Sequence, residues 1–146
     1  MIRIGEVMAR LDEQVPELTG RIENAGKFAE LIERKKVPQV TPAAFVLPAG
    51  ITGGKAEALS GAFIQGFREV VSVVLFVRVA GDPTSARAID EATPIVRKVV
   101  MTIAGWSPED ATGIFVLGQA ELIGATGGAL TFQIDFELDD QLRIFG

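Results

Sequence analysis

Along the last third of the chain Leu130, Phe132, Ile134, Phe136 and Leu138 alternate with Thr131, Gln133, Asp135, Glu137 and Asp139. Five consecutive alternations describe a strand buried on one face and wet on the other. Upstream, Ile114, Val116, Ala120 and Leu122 form a matching partner, and the Gly124 to Gly128 turn joins the two. Side chains alternate with period two, so a slip of one residue would put Glu121 opposite Phe132. Keeping Ala120 and Leu122 on the face of Leu130 and Phe132 requires an odd number of loop residues. A three-residue loop, Ala125 to Gly127, satisfies this with a bulged turn.

A longer β signal runs from Ala62 to Val79. Val71, Val73, Leu75, Val77 and Val79 share one face, and Arg68, Val70, Ser72, Val74, Phe76 and Arg78 the other. These eighteen residues would extend about 60 Å, too far for one straight strand in so short a chain. Either Gly66 marks a bulge or turn, or the first half projects as an arm.

Helical spacing appears three times. Ile4, Val7, Met8 and Leu11 fall at i, i+3, i+4 and i+7 with charged residues between them, and Pro16 ends that helix. A second helix carries Phe28, Leu31 and Ile32 inward and closes before Pro38. A third starts at Asp82-Pro83-Thr84, buries Ile89, Val96, Val100 and Ile103, and ends at Gly105. Pro94 lies inside it and predicts a kink or two abutting helices. Arg21 to Asn24 reads as a short strand, and Ala43 to Leu47 as one buried on both faces. Pro48 to Ser60 is glycine-rich and without periodicity. It reads as a mobile loop, weakly ordered in the free protein and ordered on assembly. The order is α, short β, α, β, long β, α, β, β: one α+β domain over residues 1–146, with helices packed on a largely antiparallel or mixed sheet.

Composition narrows the chemistry. The 146 residues are 48% hydrophobic, with nine Phe, one Trp and no Tyr, a globular rather than a disordered profile. No run is apolar enough to span a bilayer, and the start lacks the pattern of a signal peptide, so no membrane role is expected. The net charge is -5; the one basic cluster, Arg34-Lys35-Lys36, suits the end of a helix better than a phosphate-binding stripe. Histidine and cysteine are both absent, which removes the usual general bases, thiol nucleophiles and zinc ligands. Neither Ser60 nor Ser72 has an activating partner that sequence can place. Asp135, Glu137 and Asp139 sit nearly 7 Å apart along one strand face, too wide to share one ion, and read as a wet acidic surface. Gly50 to Lys55 fails the phosphate-loop pattern at both ends, with Ala49 for the first glycine and Ala56 after the lysine. No catalytic, cofactor-binding or metal-binding residue is expected, and a binding or assembly role is favoured by elimination.

The positive hint is the long strand, apolar on both faces. Either one of the three helices covers its second face, or another subunit does. The second possibility singles out Arg68, Val70, Phe76 and Arg78 as candidate subunit-interface residues, with the arginines suited to ion pairs across an interface.

Val71-Ser-Val-Val-Leu-Phe-Val-Arg-Val79, followed by Asp82, Ala86-Arg-Ala-Ile-Asp-Glu-Ala-Thr-Pro-Ile-Val96, Gly105-Trp106 and Pro108-Glu-Asp110, resembles the tail terminator proteins of long-tailed bacteriophages. The likeness is to those of siphophage-type tails and of Mu-like, transposable phages and prophages. The closing segment Phe132 to Arg143, with Asp140-Gln-Leu-Arg143, fits the same pattern. The resemblance covers most of the chain through diffuse patterns. It implies an α+β fold that assembles as a six-fold homo-oligomeric ring on the last ring of the major tail tube protein. Such a ring halts tube growth and joins the head-tail connector or stopper protein, while genome DNA passes through its lumen without specific binding. It implies a place in the virion, after assembly in the host cytoplasm, and no catalytic residues. The rival readings are another head-tail connector or tail-tube component, and a small-ligand or carboxylate-based enzyme domain on the same scaffold.

Overall fold

The structure, a computed structural model, describes residues 1–126 and 128–146. Three helices pack on one mixed five-stranded sheet. In chain order the elements are α1 (Ile4–Gln14), β1 (Ile22–Glu23), α2 (Ala25–Glu33), β2 (Ala43–Leu59), β3 (Ala62–Arg78), α3 (Ala86–Ile103), β4 (Phe115–Thr126) and β5 (Ala129–Phe145). The sheet order is β1-β2-β3-β5-β4. Only the β1–β2 pair is parallel.

The sheet's inner face carries the main core. Val71, Val73, Leu75 and Val77 of β3 meet Leu130, Ile134, Phe136 and Leu138 of β5 beneath α1 and α3. The amphipathic reading of α1 holds: Val7 and Leu11 are fully buried, and Ile4 and Met8 close the margin. In α3 the buried stripe is Ala88, Ala92, Ile95, Val99, Thr102 and Ile103. It is rotated from the expected one, leaving Ile89 43% exposed and Val96 and Val100 at the edge. Alanines at 88 and 92 let the helix axis approach the sheet closely, which places them at the centre of the contact. Despite Pro94, α3 runs as one helix, not two abutting ones.

On the outer face, α2 covers only the β1–β3 half. Asn24 caps it, its side chain accepting from the Lys27 N–H at 3.1 Å. Phe28 and Leu31 reach Phe45, Val74 and Phe76 as expected, whereas Ile32 points outward and is 58% exposed.

Two expectations are corrected. Pro48 to Ser60 is not a loop. It continues β2 alongside β3, with register shifts between Pro48 and Gly50 and between Gly53 and Ala56. Leu59 pairs with Ala62 across a tight turn in which Gly61 takes φ +78. The absence of periodicity concealed the strand because both its faces are exposed there. The β4–β5 register also differs. Leu122 pairs with Phe132 and Ala120 with Ile134, so the predicted faces are kept, but the closing pair is Thr126 with Ala129. The three-residue count is therefore wrong, and a bulge at Ile123 supplies the parity it was meant to supply. Gly127, the last residue of that expected loop, lies outside the described residues. A second shift at Gly118 turns Phe115 inward, fully buried, and leaves Val116 and Ile114 about half exposed.

Candidate functional site

β3 and β5 pair without interruption from Ala62–Phe145 to Arg78–Ala129. Gly66 is therefore no bulge in β3, and the first half of the strand projects. With the second half of β2 and the end of β5 it forms a three-stranded arm. Residues 49–60 are exposed throughout, as are Arg143, Ile144 and Phe145. The arm's inner face carries Ala58, Phe63 and Ile144 in one row and Ala56, Gln65 and Leu142 in the next. Its outer face ends in Leu59, Ala62 and Phe145, with Leu59 63% and Phe145 71% exposed. The arm thus exposes apolar side chains on both of its faces.

A second apolar feature lies at the other end of the sheet. Ile89, Ala92, Thr93 and Val96 of α3 face Leu122, Leu130 and Phe132 of the β4–β5 hairpin across a groove of about 230 Å³. Beside it β4 is an edge strand with one charged residue, Glu121, and exposed Val116, Leu117, Leu122 and Ile123. The rotation of α3 that exposes Ile89 opens this groove, so the sequence-based burial of Ile89 hid it.

The four expected interface residues do share the outer face of β3, but not one site. Phe76 is buried, 5.6 Å from Phe45 and edge-on to it, with Phe45 in turn 5.5 Å from Phe28. Of the two ways of covering the second face, α2 provides it at this point, and Phe76 packs beneath it inside the subunit. Val70 is half-buried beside the arm's root. Arg68 donates through Nε to Asp139 Oδ1 at 2.8 Å and lies 3.7 Å from Glu137. Its charge is thus already met inside the chain, and its hydrogen bond holds the Asp139 carboxyl below the usual range. Arg78 is exposed, and its backbone N–H donates to Thr41 Oγ1 at 3.1 Å. The acidic row is likewise engaged locally: Asp135 accepts from Gln133 Nε2 at 3.1 Å and from the Ser72 hydroxyl.

Where α1 meets the arm's root lies a polar cluster that sequence did not reveal. Buried Glu69 accepts from the Ile2 and Arg3 N–H groups at 2.9 and 2.5 Å. The Arg3 guanidinium reaches Glu6, the Glu109 carbonyl and Asp140. Burial works against the charge of Arg3, but its bonds to Glu6 and Asp140 outweigh that and raise its pKa. These bonds tie the helix start to β3 and β5, although the buried Arg3 Nε has no hydrogen-bond partner, and the cluster is a structural lock. A cation–π contact adds to it elsewhere: Arg10 sits 4.7 Å over Trp106, which stacks on Phe115.

An α+β sheet with an outstretched arm and a groove beside its last hairpin thus presents two exposed apolar surfaces. Residues 1–144 match the phage tail terminator protein family, and the chain belongs to that family. The family is a structural one and not a family of enzymes, and it places the protein in the virion. A search of curated proteins finds no match to the chain. No helix among the described residues is long and apolar enough to cross a membrane.

Proposed function

We infer that this chain closes into a six-fold ring on the end of the tail tube, stops tube polymerisation, and forms the surface to which the head-tail connector joins. The observation that carries this reading is the pairing of family membership with two separate unpartnered apolar surfaces, the arm and the groove. A subunit that meets its neighbour through two different patches closes into a ring when the rotation divides a full turn. The net charge of -5 suits a lumen through which genome DNA slides, since phosphate is not gripped without basic groups. The outer face of β4–β5, with Glu121, Asp135, Glu137 and Asp139, is the surface best suited to such a lining.

The test is tube assembly with the cognate major tail tube protein. Adding this chain to growing tubes arrests elongation, and negative-stain microscopy shows a cap on one end. Tubes that lengthen at the same rate with the chain present overturn the reading.

A further inference from the structure

The arm and the groove complement each other chemically, yet one chain cannot join them. Phe145 pairs with Ala62, and the groove's Leu130 pairs with Val77. The fifteen-residue step from Ala62 to Val77 along β3 spans about 50 Å. A chain's own Phe145 therefore never reaches its own groove, and the two can meet only between copies.

Size and area both fit. A cavity of about 150 Å³ is enough to take up benzene, so a groove of about 230 Å³ accommodates a phenyl ring. Its walls, Ile89, Val96, Leu122, Leu130 and Phe132, offer a phenyl ring apolar contact and no charge. Phe145 is the most exposed large apolar side chain of the protein's described residues at 71%, and Leu59 lies two strands across from it in the same row, beyond Ala62. An anchor ring in an apolar pocket is how interfaces concentrate affinity. The arm beyond Gly54 is six residues long, from Gly54 to Leu59, and three strands wide. That is about 20 Å by 14 Å, or roughly 560 Å² in flat projection over two faces. Side-chain relief adds to this, bringing it near the ~800 Å² per partner of a stable interface.

We propose that Phe145 of one copy seats in the groove between α3 and the β4–β5 hairpin of the next copy, the arm acting as the tongue of a head-to-tail contact. The inference deepens the ring reading and rests on it. It assigns the ring's contact to the arm and groove and leaves Phe76 in the core.

The chain has no cysteine, so introduced thiols report cleanly. Phe145→Cys mixed with Leu122→Cys is expected to give a disulfide-linked heterodimer on mild oxidation. Phe145→Cys mixed with Met101→Cys, an exposed α3 position outside the groove, is the control. In one chain, Phe145→Cys with Leu122→Cys gives a ladder that stops at the ring number. Phe145→Ala keeps its circular dichroism and melting temperature while self-association weakens at least about tenfold. A Phe145–Leu122 yield no higher than the control overturns the contact. If light scattering shows closed oligomers in those same samples, only the contact falls and the ring reading stands. Failure of the unmodified protein to arrest tubes, by contrast, removes the ring reading.

Discussion

Glu69, in the middle of the sheet, caps a helix sixty-six residues away in sequence: its carboxylate accepts the backbone N–H of Arg3 at 2.5 Å. The local N-cap position, Arg3 itself, offers no side-chain bond to the helix start. The first turn of α1 is thus held from β3, where a carboxylate also complements the positive end of the helix dipole. Replacing Glu69 with Ala strips two N–H groups of their acceptor and is expected to cost about 1–3 kcal/mol. Urea denaturation measures it, and an unchanged midpoint would show that water replaces the carboxylate without loss.

Acid should weaken the fold through a defined set of carboxylates. Lys98 holds Glu17 low by a hydrogen bond at 2.6 Å, and Arg68 does the same to Asp139. Burial pushes Asp140 up, but bonds from Gln141, Thr112 and Arg3 overcome it and leave its pKa lowered. In the unfolded chain such groups take up protons near pH 4, while in the folded chain they do so only lower. The unfolded state therefore holds more protons in that interval. The stabilisation is complete above about pH 4 and drains as pH falls through the depressed values. Asp140→Asn is expected to lower stability at neutral pH by about 1–3 kcal/mol and to flatten the acid limb. Equal acid slopes in the two proteins would remove Asp140 from the account.

Phe76 supplies a third expectation. Its ring closes the Phe28–Phe45–Phe76 stack under α2. Phe76→Ala should cost about 3–5 kcal/mol and loosen α2 in hydrogen exchange. A loss of assembly with full thermal stability would instead return Phe76 to the subunit interface.

Gly128 supplies a fourth. It sits at φ +82, and a Cβ there would run into the Val79 carbonyl and Asp82. Its N–H donates to Ser85 Oγ at 3.1 Å, while Asp82 Oδ2 accepts from Ala88 N at 2.9 Å at the start of α3. Gly128→Ala combines a left-handed alanine with a backbone collision and is expected to cost at least about 2 kcal/mol. A melting temperature within a degree of the unmodified protein would refute the tight approach.

The sequence showed most plainly what period and punctuation encode. Alternation at Leu130–Leu138 located the core face of β5, and the 3.6-residue spacing of Val7 and Leu11 located that of α1. The excess length of the β3 signal left a bulge at Gly66 and a projecting arm equally open, and Ser60-Gly61 is the turn signal that should have supplied the partner strand. What stayed hidden depends on distance in space. Bulges at Gly118 and Ile123 shift β4 by one residue each, and nothing local marks how two shifts combine. The rotation of α3 depends on how closely Ala88 and Ala92 approach the sheet. The candidate contact residues were read from face alone, which could not tell Phe76 under α2 from Phe145 in water.

The uninterrupted β3–β5 ladder also has a mechanical meaning. β3 and β5 run from the core into the arm as one ladder of seventeen consecutive residue pairs, with no bulge in β3 along it. A pull along the strand axis, between the arm's tip and the far end of the sheet, strains those bonds together instead of peeling them one at a time. The protein is therefore stiff along β3 and compliant where β2 is bulged, and load taken up at the arm passes directly into the packed body.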